Sequence, residues 1–131
     1  MISHQSFMNI AYELSNNSYC KRKKVGCIIV KDSNIISIGY NGTISGFNNC
    51  CEENNKTKKE VLHAETNAIS KCSKSSYSSN GATMYCTLSP CFECSKLIIQ
   101  SGIAEVYYNE TYRETDGINL LKKAGVKTIK I

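Results

Sequence analysis

From residue 61 onward the chain alternates helical and β-branched segments without a break, which confines it to a small set of folds. Residues 61–71 read as a helix, 83–88 as a strand, 91–100 as a helix, 104–108 as a strand, 118–124 as a helix and 126–131 as a strand. Ser101-Gly102 closes one of these helices and Gly125 another, at the position where a left-handed residue ends a helix. Upstream, residues 2–14 carry Phe7, Ile10, Ala11 and Leu14 at helical spacing behind Ser3, an N-cap residue type. Residues 25–30 and 35–40 are β-branched runs joined by Lys31-Asp32-Ser33-Asn34, a hairpin pattern. The stretch 52–60 is polar and reads as a connection. The order α-β-β-α-β-α-β-α-β implies an α/β fold, with one mixed five-stranded sheet covered by helices on both faces.

A length of 131 residues suits one domain over 1–131 and supports a real core. At 41% hydrophobic and 21% charged residues, disordered and fibrous classes are excluded. No apolar run approaches the roughly 20 residues of a membrane span, and MISHQSFMNI lacks the pattern of a signal peptide. The expected compartment is therefore the reducing cytoplasm, and the eight cysteines are expected to serve metal binding, chemistry or packing instead of disulfides. Sixteen basic residues against eleven acidic give +5, which favours an anionic partner, either a nucleotide phosphate or a polynucleotide.

Two motifs carry chemistry: His63-Ala64-Glu65 at the start of the second helix, and Pro90-Cys91-Phe92-Glu93-Cys94 at a strand-to-helix junction. The only proline is expected in the first helical turn, where its missing N–H is harmless. Cys91 and Cys94 are three apart, so their thiols share a helix face and can grip one metal. With His63 they form a donor set that suits Zn²⁺, and three protein ligands leave a fourth tetrahedral position for water. Glu65 lies within reach of that water without being a ligand, as a proton carrier requires. The pattern H-x-E with P-C-x-x-C is the signature of zinc nucleobase deaminases. Two blander readings compete. A lone CxxC can be a redox dithiol, but that leaves His63 and Glu65 without a role. A structural four-ligand zinc would need Cys86, Cys50 or Cys51 as an added thiolate. Cys27 and Cys86 in strands read as buried small hydrophobes, and Tyr107-Tyr108 as half core, half surface.

The segments HAETNAI, GATMYCTLSPCFECSKLIIQSGI and GYNGTISGFNNCCEE resemble the deoxycytidylate (dCMP) deaminase family, particularly its phage-type members, over nearly the whole chain, from about Ile10 to Val126. The narrower signals are Asn67, the Gly39-Tyr40-Asn41-Gly42 turn and Ser89 before the proline. The resemblance implies a three-layer α/β/α cytidine-deaminase-like fold and zinc-dependent deamination of dCMP to dUMP, which supplies thymidylate synthesis. It implies zinc held by His63, Cys91 and Cys94, with Glu65 as catalytic proton shuttle. It further implies that the backbone of Ala64 and Ser89 reads the cytosine edge, Asn41 the deoxyribose and Arg22 the phosphate, and that Tyr112 closes over the nucleotide. A monophosphate carries about two negative charges, so Lys21-Arg22-Lys23-Lys24 is a fitting source of contacts, with Arg22 favoured for its planar fork.

Family members are commonly hexamers activated by dCTP and inhibited by dTTP, so a homo-oligomer and an effector region at Gly39, Tyr40, Asn41 and Gly42 are expected. Lys71 and Lys74, however, stand where an aromatic and an Arg are anticipated, and an unregulated enzyme is the alternative. Larger phage-type members carry a second, structural zinc. Cys20 and Cys50 match cysteine positions of that site, but the only other histidine is His4 and no full ligand set is visible. For a viral member the compartment is the host cytoplasm. Competing substrates are dCTP and a base within RNA or DNA. The chain lacks the long basic or aromatic extension that would hold a strand. A catalytically silent zinc module is the rival from another class, and Glu65 argues against it.

Overall fold

The computed structural model describes residues 2–131. A five-stranded sheet runs in the order β2-β1-β5-β6-β7, built from β1 (Gly26–Lys31), β2 (Asn34–Tyr40), β5 (Thr83–Leu88), β6 (Glu105–Glu110) and β7 (Lys127–Lys130). It is mixed, as expected. β1 pairs antiparallel with both β2 and β5, whereas β5, β6 and β7 are parallel. Helix α1 (His4–Ser15) covers one face; α2 (Ala64–Ser73), α3 (Phe92–Gln100) and α4 (Asp116–Lys123) lie on the other. Strand alternation divides the core accordingly. Cys27, Ile29, Met84, Cys86 and Val106 pack towards α2, α3 and α4. Ile28, Val30, Tyr85 and Tyr107 pack towards Phe7, Met8 and Ala11 of α1.

Local chemistry accounts for the ends of these elements. Ser3 caps α1 by accepting the Ser6 N–H at 3.1 Å. Gly102 and Gly125 follow α3 and α4 with φ of 81° and 86°, the left-handed closure expected of them. Asp32 and Ser33 both take positive φ, so the first hairpin turns on two residues between paired Lys31 and Asn34.

Four expectations need correction. The polar stretch 52–60 contains a small hairpin, β3 (Glu52–Glu53) with β4 (Lys56–Thr57), around Asn54 and Asn55 at positive φ. Its strands show no apolar alternation, so only the Asn-Asn pair signalled it. Helix α2 starts at Ala64 instead of residue 61, because Leu62 is held in a backbone bridge to Gly42. Pro90 lies outside the first turn of α3: Cys91 is the N-cap, and its thiol accepts the Cys94 N–H at 3.5 Å. Tyr107 and Tyr108 are both buried, the former stacked between Tyr85 and His4.

The cysteine expectation also changes. Cys20 and Cys51 form a disulfide, tying the segment after α1 to the base of the small hairpin. Their Cα atoms are 5.2 Å apart, well inside the span a disulfide bridges. Cys20 is therefore partnered by Cys51 and not by Cys50, whose exposed thiol donates to the Glu52 carbonyl at 3.2 Å. The bond closes a sequence separation of 31 residues. By the loop-entropy relation, reduction is expected to lower stability by about 2–4 kcal/mol. Denaturant unfolding with and without a dithiol reductant measures this, and coincident curves would refute it. Cys27 and Cys86 are fully buried with sulfurs 3.8 Å apart, as packing residues. No helix among the described residues is long and apolar enough to cross a membrane.

Candidate active site

The C-terminal end of β5 and the N-terminal ends of α2 and α3 meet at one place, and the two sequence motifs occupy it. His63 is the N-cap of α2 in an extended conformation, and its side chain makes no capping hydrogen bond. Cys91 is the N-cap of α3 and Cys94 lies in its first turn. The His63 Nδ1 atom lies 3.5 Å from the Cys91 sulfur and 3.4 Å from the Cys94 sulfur. A tetrahedral ion with metal–sulfur bonds of about 2.3 Å and metal–nitrogen bonds of about 2.0–2.1 Å separates such atoms by about 3.6 Å. The donor atoms are thus spaced for zinc, with all three within 4.8 Å of one another. Cys86, the residue that would make a fourth thiolate, is turned to Cys27 instead.

Electrostatics agree with the geometry. The Cys91 thiol is pulled down to about 4, first by its hydrogen bond with Cys94 and then by His63, while Cys94 is pushed up by the same pairing and by burial. The His63 imidazole is raised by its hydrogen bond with Cys91. Glu65 is 4% exposed, and burial pushes its carboxyl up to about 7. A carboxyl with that value both takes and gives protons near neutrality.

These residues open into a cavity of about 400 Å³, within the range of small-molecule sites. His63, Ala64, Glu65 and Cys91 line it, as do Arg22, Asn41, Ser89 and Tyr112. Every residue that the resemblance pointed to for substrate is therefore on one wall or another. Cys94 stands behind, buried. Two lining residues of consequence, Arg113 and Thr57, were missed, and a third, Lys23, was named only within the Lys21–Lys24 run. Lys23 was one of a run of four cations with nothing local to separate it from its neighbours. Arg113 lay in an irregular segment. Thr57 belongs to the small hairpin and accepts from the Arg22 guanidinium at 3.5 Å.

Some predicted contacts have more than one occupation. The Asn41 side chain accepts the Val25 N–H at 2.9 Å and donates to the Lys23 carbonyl at 2.7 Å, bracing the cationic segment against the sheet. The Ser89 N–H donates to the Glu110 carbonyl at 2.8 Å and its hydroxyl accepts the Tyr112 N–H at 2.7 Å, which leaves its carbonyl and its hydroxyl proton for a ligand. Asn67 donates to the Tyr40 carbonyl at 3.0 Å, and Lys71 sits over the Tyr40 ring at 5.5 Å. Gly42 exchanges two backbone hydrogen bonds with Leu62, immediately before His63. The Gly39–Gly42 turn thereby clasps the start of α2. Among its members only Asn41 faces the cavity. Glu52 stands beside the Cys20–Cys51 pair, but its carboxylate accepts from the N–H groups of Lys21 and Arg22.

Comparison with known proteins gives a consistent set of likenesses. Residues 1–110 match the model of the family described as "Cytidine and deoxycytidylate deaminase zinc-binding region". The structure of dCMP deaminase from the cyanophage S-TIM5, in complex with dCMP and dUMP, superposes with a TM-score of 0.96 at 46% identity, covering 100% of both chains. Deoxycytidylate deaminase of Enterobacteria phage T4 is 34% identical over 95% of this chain and 87% of its own length. Deoxycytidylate deaminase of Saccharomyces cerevisiae is 36% identical over 92% of this chain, which spans only 42% of that relative.

Proposed function

The chain belongs to the cytidine and deoxycytidylate deaminase family, and on that premise we propose that it hydrolyses dCMP to dUMP and ammonia as a single zinc-dependent domain over residues 1–131. The observation that carries this reading is the cavity, which combines the His63–Cys91–Cys94 donor set and buried Glu65 with the exposed cations Arg22, Lys23 and Arg113. A neutral nucleoside has no use for three cations, whereas a monophosphate of about two negative charges does. The likeness to the cyanophage dCMP deaminase supports the same substrate class.

Zinc held by His63, Cys91 and Cys94 supplies a Lewis acid that makes water nucleophilic near neutral pH. The chain's own residues do the rest. The Ala64 N–H, first in α2 and without an intrahelical acceptor, donates to the pyrimidine edge. The Ser89 carbonyl accepts from the exocyclic amine. Glu65 takes a proton from the attacking water, passes it to N3 of the ring and then delivers a proton to the departing ammonia. Asn41 retains one amide N–H for the sugar, Tyr112 covers the nucleotide and Arg22 grips the phosphate.

A panel of dCMP, dCTP, deoxycytidine and a cytosine oligonucleotide, read by ammonia release, tests the proposal. dCMP is expected to be preferred; equal or faster turnover of the oligonucleotide would overturn it. In the same panel Arg22→Ala is expected to raise the KM for dCMP about tenfold, as loss of a charge-assisted hydrogen bond does. An equal loss for deoxycytidine would remove Arg22 from the phosphate. The reading carries two further expectations: a homo-oligomer, and dCTP and dTTP control through Gly39, Tyr40, Asn41 and Gly42. Sedimentation, and the panel repeated with each effector, test them.

A further inference from the structure

Four consecutive cations precede β1, and one of them is held at both ends. The Lys23 carbonyl accepts from Asn41 at 2.7 Å. Its ammonium pairs with Glu110 Oε1 at 2.8 Å. Glu110 is itself fixed. Its other carboxylate oxygen lies 2.9 Å from the Tyr12 hydroxyl of α1, whose single proton it shares with Asn109 Oδ1 at 2.5 Å, and its carbonyl accepts the Ser89 N–H at 2.8 Å. It ends β6, in register with Leu88 of β5, which lines the cavity. Lys23 lines the cavity, whereas Glu110 does not. Among the described residues, no other member of the Lys21–Lys24 run is in an ion pair.

Exposed ion pairs contribute little to stability, so this arrangement needs another account. A free lysine side chain samples many rotamers and pays entropy whenever it binds. An ammonium has three N–H donors; one goes to Glu110 and two remain for a ligand. Resting on the nucleotide reading above, we infer that Glu110 is a positioning residue that aims Lys23 at the substrate phosphate and so sets preference for a nucleotide over a nucleoside. Tyr12 keeps the carboxylate from swinging away, and the Ser89 contact ties that aim to the strand end where the base is read.

The test compares kcat and KM for dCMP and deoxycytidine in Glu110→Gln, Lys23→Gln and the double variant, with zinc content and unfolding midpoint recorded for each. Lys23→Gln is expected to raise the KM for dCMP about tenfold, and Glu110→Gln about five- to tenfold. In both, the dCMP-to-deoxycytidine ratio of kcat/KM falls in proportion. The double variant is expected to match Lys23→Gln alone, because Glu110 acts only through Lys23. Should Glu110→Gln fail to fold, Tyr12→Phe provides the second arm, with an expected two- to threefold rise in the same KM. Effects that multiply in the double variant, or equal losses for both substrates, overturn the inference. A wild-type enzyme with no preference for dCMP overturns the nucleotide reading and this one with it; a wild-type preference that survives Glu110→Gln overturns this one alone.

Discussion

Glu65→Gln is expected to lower dCMP turnover by about 10²–10⁴-fold while zinc stays bound, the loss typical of a missing general acid–base group. The substitution preserves shape at a position that is 4% exposed, and an amide can still hydrogen-bond within the same walls. What it removes is the ability to carry a proton. The native carboxyl is suited to that task because burial lifts it to about 7, where accepting and releasing a proton are nearly balanced. His63, Cys91 and Cys94 are untouched, so metal analysis should return one zinc per chain in variant and parent alike. A turnover within tenfold of the parent, with zinc retained, would remove Glu65 from the proton path.

The second large effect is expected at a residue that never touches the cavity. Gly39 of β2 passes so close to α2 that an added Cβ would lie 2.3 Å from the Ala64 carbonyl oxygen and 2.7 Å from the Ala68 nitrogen. Both are backbone atoms, so neither can rotate aside. Gly39→Ala must push α2 off the sheet, at a cost of about 3 kcal/mol, the upper end for an overpacked core. That helix begins with His63, Ala64 and Glu65. A displacement of about 1 Å at reacting groups can cost about 10²-fold in rate. The variant is therefore expected to unfold earlier in denaturant and, where still folded, to turn over dCMP about 10²-fold more slowly with no effector present. Unchanged stability and rate without effectors, together with an altered dCTP or dTTP response, would return Gly39 to a purely regulatory role.

The legible and illegible parts of the chain separate along a physical line. Cys91 and Cys94 could be assigned to one ion because three residues of helix bring two side chains to one face. The helix ends at Ser3, Gly102 and Gly125 were equally readable, since caps depend on one or two residues. The five main strands followed from β-branched runs between turn signals, and the mixed sheet from the order of elements along the chain. By contrast, the hairpin of Glu52–Glu53 with Lys56–Thr57 has no apolar pattern to read, and the Cys20–Cys51 disulfide runs against the expectation that no cysteine would be paired in this way. Nothing in the sequence divides the work of Cys50 and Cys51; the path of the loop does, by burying Cys51 and exposing Cys50.

By itself the sequence determined the local chemistry: two cysteines three residues apart at the start of one helix, a carboxylate two residues from a histidine, and strands and helices in an order that gives a mixed sheet. Those features are set by short-range geometry, where spacing implies orientation. The tertiary structure decided the surroundings. It selected Lys23 from four neighbouring cations, paired it with Glu110 across 87 residues of sequence, and brought Thr57 to Arg22. It also turned Gly39 into a close contact with α2. Each depends on where separate elements come to rest against one sheet, and spacing along a chain carries no information about that distance.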